Sequence, residues 1–403
     1  MNNKKIALLG FGVTGREVYK CLDVEYDITI INDNPVDDFD TKTVEQVADI
    51  KFDIIIKSPG VPYSHPFLQG RDCVITNDIE LAYEVIVDNM LDTKIIAITG
   101  TNGKTTTTQF ISDVLASAGF KSYTCGNIGQ SPLLILNQTL NVDYLVMELS
   151  SYQLKQVNKF HPNFGLFLNV SPDHIDYHGD FADYLNSKCN LFKNMTSNDC
   201  LVLDETMVAE HNEVKWPSFA IGGADESLLA EVTTVSMPKQ NYRLIFNLLL
   251  KAGIASEFII NSLNNFAGLE HRLELVENDL GFRVINDSKA TNVNATNVAI
   301  SNLNGPTTLI VGGSIKVEDY TLLNYQDSNL KNIIAYGAAK DKFSFIPNVQ
   351  MFDDFEQAVL FAVGKTSSGE TLLLSPACAS FDQHPNYGER GKQFKQIIKG
   401  TNE

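Results

Sequence analysis

The densest chemistry in the chain sits in "TGTNGKTTT", Thr99 to Thr107. Gly100 and Gly103 allow backbone N–H groups to close on phosphate oxygens. Lys104 supplies a point charge for β- and γ-phosphates, and the Thr105 hydroxyl can join the shell of a Mg²⁺ ion. The apolar run "IIAI" precedes the loop and a helical segment follows it, the strand–loop–helix context that a phosphate cradle needs. Ile98 stands where a full G-x-x-x-x-G-K-T pattern has its first glycine. The bland alternative, a polar turn that caps a helix, accounts for less of this context. ATP binding by Gly100, Thr101, Asn102, Gly103, Lys104, Thr105 and Thr106 is therefore the leading expectation.

An ATP site needs oxygen ligands for Mg²⁺, usually one or two carboxylates with phosphates and water. Glu148 ends the apolar run "DYLVME", at the rim of a sheet where ligands bind in α/β folds. "NVSPDHIDYH" likewise ends an apolar run and packs Asp173, His174, Asp176 and His178 together. Such clusters are also ordinary turn chemistry. Lys188, in "YLNSKCNLF", reads by spacing alone as an exposed lysine on a helix. Two further polar clusters follow strand-like runs. One is "INDSKATN" (residues 285–292), with Asp287, Ser288, Lys289, Thr291 and Asn292. The other is "SPACASFDQHPNYGERGKQF" (residues 375–394).

A different glycine pattern opens the chain. "GFGVTG", Gly10 to Gly15, is G-x-G-x-x-G between an apolar run and a helical one, with Asp33 ending the next run. Taken alone it suggests a dinucleotide and hence a nicotinamide-dependent oxidoreductase. Another nucleotide, or a tight turn without ligand, fits the same spacing.

The elements that must position these groups alternate. "KIALLG", "DITIIND" and "FDIIIKSPG" read as strands separated by helical stretches, which predicts a parallel, doubly wound sheet. A second α/β unit begins at "TKIIAITG" and continues through "DYLVMEL" and "FGLFLNV". A third begins near "GFRVINDSKATN" and carries "TTLIVGG", "NIIAYG" and "TLLLSPA". The stretch 195–265 has poor periodicity. With 403 residues and ~100–200 residues per domain, three domains are expected.

Composition narrows the partners. A formal net charge of −18 argues against non-specific binding to nucleic acid or to an anionic membrane. Anionic substrates must then meet local Lys and Arg clusters. Six scattered cysteines without a CxxC pair fit reduced thiols in a cytosolic protein and argue against a zinc site. "MNNKKIALLGFG" has lysines and an apolar run but no small-residue cleavage site, so no signal peptide is expected, and no window is apolar enough to span a bilayer.

Taken together, "TGTNGKTTT", "GNIG", "MELSSYQL", "NVSPDHIDYH", "YLNSK", "GLEHRLE", "NDSKATN" and "LSPACASFDQ…RGKQF" occur in the order seen in the Mur ligases of peptidoglycan synthesis. The resemblance runs from Gly10 to Phe394, and its last two motifs look like those of the D-glutamate-adding members. It implies an N-terminal Rossmann-like domain for a uridine nucleotide (1–92), a central P-loop-type ATPase (93–268) and a C-terminal Rossmann-like domain for the amino acid (269–403). It implies ATP-dependent ligation of D-glutamate to UDP-N-acetylmuramoyl-L-alanine in the cytoplasm by a monomer. A relative with another acceptor amino acid is the alternative. The resemblance re-reads "GFGVTG" as a UDP-diphosphate loop, with Val13, Thr14, Asp33, Ser58 and Gly60 lining that site and Asn127 meeting the muramoyl group. It gives Lys104 and Thr105 to ATP and Mg²⁺, and Glu148, His174 and a carbamylated Lys188 to the metal. Lys104, His174, Lys188 and Lys289 become the catalytic set. Asn241, Arg272 and Asp287 would contact ATP, and Thr291, Lys316, Ser380 and Tyr387 would receive D-glutamate. The chain departs from the family at "MPKQN" before Asn241, at Ser314 and Ile315 before Lys316, and at Tyr387, where phenylalanine is common. It is also shorter than many relatives.

Overall fold

The computed structural model describes residues 4–22, 26–232, 237–303, 305–316 and 318–401. The chain divides into two compact units, one of Met1–Glu231 with Gln240–Ser262, the other of Val232–Lys239 with Leu263–Glu403.

The first unit holds two five-stranded sheets, all parallel. β1 (Lys5–Leu9), β2 (Asp27–Ile31), β3 (Thr41–Lys42), β4 (Ile54–Lys57) and β5 (Val74–Thr76) form the first, in the order β3-β2-β1-β4-β5. β6 (Lys94–Thr99), β7 (Ser122–Gly126), β8 (Tyr144–Glu148), β9 (Phe164–Phe167) and β10 (Cys200–Leu203) form the second, in the order β10-β9-β6-β8-β7. Strands covered on both faces read as continuous apolar runs rather than alternations, which is why "IALL" and "IIAI" are legible as strands. Ile6, Leu8, Ile95, Ala97, Leu145 and Met147 are all buried in one cluster. In each sheet the central strand pairs on both sides with strands that do not follow it directly on at least one side. The loops after β1 and β6 thus open at the switch point where ligands bind in such sheets. The aperiodic stretch contributes β10 and the helices Glu205–Glu210, Lys239–Lys251 and Ser256–Asn264.

The second unit holds one six-stranded sheet. β11 (Glu274–Val276) is antiparallel to β12 (Arg283–Asn286). The remaining strands are parallel, in the order β12, β16 (Thr371–Ala377), β13 (Thr307–Gly312), β14 (Leu330–Tyr336) and β15 (Gln350–Phe352). Alternate residues feed opposite cores. Ile285, Leu309, Val311 and Leu373 pack on one face, and Val284, Ile310, Leu372 and Leu374 on the other with Phe355, Phe394 and Ile398. The fold class is α/β with mostly parallel sheets, as the alternation of apolar runs predicts.

Candidate functional site

The loop after β6 is fixed by polar groups of neighbouring elements. Asn169, which follows β9, accepts at Oδ1 from the N–H groups of Thr101 (3.1 Å) and Asn102 (2.9 Å). The Thr101 hydroxyl pairs with the Tyr184 hydroxyl at 2.9 Å. Gly100 and Gly103 have φ of 157° and 84°, and a Cβ at position 103 would stand 2.3 Å from Nδ2 of the buried Asn241. Glycine is required there by conformation and by space. Asn241 thus packs directly against the 99–107 loop, although "MPKQN" departs from the family pattern before it. Helix Lys104–Ser117 starts at the loop, so its first N–H groups and the Lys104 ammonium lie together. Lys104 Nζ folds back onto the carbonyls of Gly100 and Thr101, each at 2.9 Å.

Glu148, Asn127, Lys188 and His174 meet the same loop region from other elements. Glu148 ends β8 and is 2% exposed. Its Oε1 accepts from Asn127 Nδ2 at 2.8 Å, and the Asn127 N–H donates to the Glu148 carbonyl, also at 2.8 Å. Its Oε2 is buried with no hydrogen-bond partner among the described residues. A buried carboxylate oxygen left without a donor is costly unless something cationic belongs beside it.

Lys188, on helix Phe181–Cys189, is buried, and this corrects the exposed lysine that spacing alone suggests. Tyr184, Leu185, Ser187 and Lys188 form the buried face of that helix, and Ala182 and Asn186 lie on its exposed one. Lys188 Nζ donates to the Gly100 carbonyl at 2.7 Å. Burial, then the Lys104 charge, push its ammonium well below the usual lysine range, with Asp173 and Glu148 opposing. His174 sits at the start of helix Ile175–His178 with a left-handed φ of 54°. Burial holds its imidazolium below the usual histidine range, reinforced by Lys104 and Lys188 and opposed by Asp173.

The donor set suits a hard divalent cation held mainly by oxygen. Glu148 Oε2 is a buried carboxylate oxygen without a hydrogen-bond partner among the described residues. Among the described residues no cluster of three His, Cys, Asp or Glu side chains is arranged to hold a metal, so phosphate oxygens would have to complete the shell.

The loop after β1 is a second glycine turn. Gly10 has φ of 86°, its N–H donates to the Ile31 carbonyl at 2.9 Å, and a Cβ on Gly15 would lie 2.3 Å from the Gly10 carbonyl oxygen. Val13 begins helix Val13–Leu22 and is 75% exposed, with Thr14 beside it. The Ser58 hydroxyl, just past β4, donates to the Gly10 carbonyl at 2.8 Å, and Gly60 follows in an exposed turn. Asp33 lies two residues past the end of β2, exposed, with its carboxylate 3.2 Å from His65 Nε2. The side chain that faces the glycine turn is its neighbour Asn32, whose Oδ1 accepts from the Phe11 N–H at 2.9 Å. Sequence reasoning missed Asn32, because an amide at that place carries no dinucleotide signature.

In the second unit, Asp287, Lys289 and Thr291 follow β12. Asp287 turns inward: Ser375 Oγ donates to its Oδ2 at 2.9 Å and the Leu273 N–H to its Oδ1 at 3.3 Å. Burial pushes its carboxyl up to about 7, against the pull of Ser375 and of Arg272 and Arg390. Lys289 Nζ lies 4.1 Å from the Tyr387 ring centroid. Lys316 Nζ donates to the Thr291 carbonyl at 3.0 Å, which joins two of the expected amino-acid contacts. Ser380 is buried after β16. Ser314, at the departure before Lys316, donates to Asp382 Oδ1 (3.3 Å) and accepts from the Asp382 N–H (2.7 Å).

The organiser of this cluster is Arg390, which sequence reasoning left as one polar residue among several. It is fully buried. Its Nε and Nη2 donate to the Ser288 hydroxyl (2.9 Å) and carbonyl (2.7 Å). Its Nη1 reaches the Tyr336 hydroxyl and the carbonyls of Cys378 and Ala379 at 3.1–3.2 Å. One guanidinium fork therefore fixes the ends of β12, β14 and β16 together.

Residues 98–253 match the Mur ligase middle domain. The chain is 32% identical to a UDP-N-acetylmuramoylalanine–D-glutamate ligase of Alkaliphilus metalliredigens, over 99% of this chain and 98% of that one. It is 34% identical to the ligase of the same name from Francisella tularensis subsp. holarctica, over 98% and 95%. Its fold resembles that of the MurF ligase of Thermotoga maritima, solved in complex with ADP, with a TM-score of 0.62 at 14% identity over 99% of this chain and 95% of that one. With near-complete coverage at this identity, the chain belongs to the UDP-N-acetylmuramoylalanine–D-glutamate ligases of the Mur ligase family.

Proposed function

We propose that the chain joins D-glutamate to UDP-N-acetylmuramoyl-L-alanine with conversion of ATP to ADP and phosphate, through an acyl phosphate. The observation that carries this reading is the near-full-length similarity to ligases named for that reaction. The first unit's 99–107 loop, with a nearby Glu148 oxygen that has no hydrogen-bond partner among the described residues, supports the ATP half. Each of the three sheets would anchor one domain, 1–92, 93–268 and 269–403.

A carboxylate is inert to amines until one oxygen is made a leaving group. An oxygen of the L-alanine carboxylate attacks the γ-phosphorus of ATP, and ADP departs. The D-glutamate amine then adds to the acyl carbon, loses a proton, and the tetrahedral intermediate expels phosphate. Phosphoryl transfer asks for charge neutralisation and positioning. Gly100 to Thr106 and Lys104 hold the ATP phosphates, with Asn241 on the nucleotide side. Thr105, Glu148, His174 and, as its carbamate, Lys188 would hold Mg²⁺, whose chemistry there would be neutralisation of phosphate charge. Asn127 both meets the muramoyl group and steadies Glu148. Val13, Thr14, Asp33, Ser58 and Gly60 hold the UDP end. In the second unit Arg272, Asp287 and Lys289 serve the nucleotide and the transferred phosphoryl group. Thr291, Lys316, Ser380 and Tyr387 serve D-glutamate, whose two carboxylates require cations and donors.

Lys188 enters this scheme as its carbamate. Burial and the Lys104 charge favour the neutral form of the Lys188 amine, which is the nucleophilic one. The neutral nitrogen adds to CO₂, one proton leaves, and an anionic oxygen ligand replaces the amine. The location expected is the cytoplasm, and among the described residues no helix is long and apolar enough to cross a membrane.

A coupled ADP-release assay tests the whole reading. UDP-N-acetylmuramoyl-L-alanine is supplied with D-glutamate, L-glutamate, L-alanine or L-lysine. ADP release with D-glutamate alone is expected. Release with another acceptor would reassign the specificity, and release with none would overturn the ligase reading.

A further inference from the structure

Lys57 ends β4, and the loop that follows it, Ser58 to Val61, borders the glycine turn of residues 10–15. Its side chain is 1% exposed. Its Nζ donates to the Ser58 carbonyl at 3.2 Å and to the Val61 carbonyl, and lies 5.0 Å from the Tyr63 ring centroid. Among the described residues no carboxylate pairs with it. The charged group that acts on it is Lys155, a repulsion, and Lys155 is itself paired with Asp183 at 2.6 Å.

A buried ammonium without a counter-charge is unfavourable unless an anion comes to it. Here two of its donors hold the carbonyls of one loop, and Ser58 from that loop donates to the glycine turn. Charge, loop and anion-binding turn are thus contiguous. We propose that Lys57 is a positioning residue for the substrate's nucleotide diphosphate: it fixes the 58–61 loop from beneath and supplies a buried positive charge that the diphosphate neutralises. The inference rests on the reading that this turn holds the UDP end of the substrate.

The chemistry has a signature. Burial, and then Lys155, hold the Lys57 ammonium down to about 8. The groups facing it are the Tyr63 ring, Lys155 and two carbonyls, and burial keeps the Tyr63 phenol above its ordinary range and hence neutral. Lys57 therefore carries its charge below pH 8 and loses it above. A bound diphosphate diester, anionic throughout, draws the proton back, so binding near pH 8 takes up a proton.

The test is calorimetric titration of UDP-N-acetylmuramoyl-L-alanine into the full chain from about pH 6.5 to about pH 8.8, in buffers of different ionisation heat. The wild type should bind roughly five-fold more weakly at the upper end than at pH 7, with proton uptake near pH 8. Lys57→Met should bind on the order of ten-fold more weakly at pH 7, without the pH dependence or the uptake, and with kcat at saturation nearly unchanged. Lys57→Gln should behave like Lys57→Met. Wild-type affinity that is flat with pH and free of proton uptake overturns the inference even if the variants fail to fold. Unchanged affinity in folded Lys57→Met does the same. Absence of any binding to the wild type would instead overturn the UDP reading, and this inference with it.

Discussion

Lys188→Met separates two readings of a buried lysine by the sign of a stability change. If Lys188 is one half of a buried ion pair, removing it strands the partner and costs about 3–5 kcal/mol. The geometry argues otherwise. Its hydrogen bond goes to a carbonyl, Gly100, and its strongest charged neighbour is another cation, Lys104. Methionine has a similar volume and fits beside Tyr184, whose ring centroid lies 4.7 Å from Nζ. The change removes one hydrogen bond, about 1 kcal/mol, and with it a desolvation penalty of at least that size. Stability should stay level or rise by ~1 kcal/mol, a shift in Tm of about 2–4 °C for a unit of this size. Activity should meanwhile fall about 10²–10³-fold, the usual loss when a pre-positioned charge is removed from a polar transition state. Differential scanning fluorimetry without nucleotide reads the first quantity and the coupled ADP assay the second. A loss of 3 kcal/mol or more in the Met variant would refute the argument that Lys188 is an unpaired amine free to react with CO₂. The carbamate adds its own test: Lys188→Ala should regain activity with added short carboxylic acids, and no regain at any concentration would remove the carbamate.

Asn127→Ala strips the donor from Glu148 Oε1 and leaves both carboxylate oxygens without a side-chain partner. The half-saturating Mg²⁺ concentration should rise about 10–100-fold, read from the rate and from nucleotide-induced Tm shifts. Gly103→Ala puts a methyl group where φ is 84° and Asn241 Nδ2 is 2.3 Å away. Binding of a fluorescent ADP analogue should be lost, with about 1–3 kcal/mol of stability. Asp287 has its carboxyl raised to about 7 in the folded chain, against ~3.9 unfolded. Its contribution is therefore full below about pH 4 and is lost as pH rises through about 7. Asp287→Asn should flatten the pH dependence of urea unfolding across that window, and an unchanged slope would show that Asp287 is ionised when folded.

Most of the fold was legible because buried parallel strands announce themselves. "IIAI", "DYLVME", "TTLIVGG" and "TLLLSPA" are continuous apolar runs and become β6, β8, β13 and β16. What escaped was short or polar. β3 and β11 have two and three residues, and β7, "SYTCG", alternates at a sheet edge with too few apolar residues to stand out. β10, "CLVL", was hidden in a stretch whose helices lack glycine punctuation. The site was legible where chemistry is local in sequence. Lys104 and Thr105 sit in the loop they serve. Lys188 and Arg390 gave no signal, because their role depends on burial, and burial depends on which helix face meets a distant loop. Family resemblance supplied Lys188, whereas Arg390 emerged only from the hydrogen bonds it makes to three strand ends.

The two glycine turns show why spacing alone left dinucleotide, nucleotide and empty turn unresolved for "GFGVTG". Both turns offer the same elements to an anion: a positive-φ glycine, a helix N-terminus and backbone N–H groups. They differ in where their cations come from. The 99–107 loop carries its cation, Lys104, within itself; Lys188, from a helix far along the chain, also reaches the Gly100 carbonyl, but burial drives it toward the neutral amine. The 10–15 turn carries no lysine, and the buried cation nearest its partner loop is Lys57 at the end of another strand. In the proposed reaction, a triphosphate that must part with its terminal phosphoryl group needs positive charge at its loop, and Lys104, held at the Gly100 and Thr101 carbonyls, provides it. A diphosphate diester that is only held needs fixed charge beneath its loop. On that reading the distinction between a reacting anion and an anchored one lies in where the cation sits: Lys104 belongs to the loop that meets the reacting anion, whereas Lys57 reaches the 10–15 turn only through the neighbouring 58–61 loop.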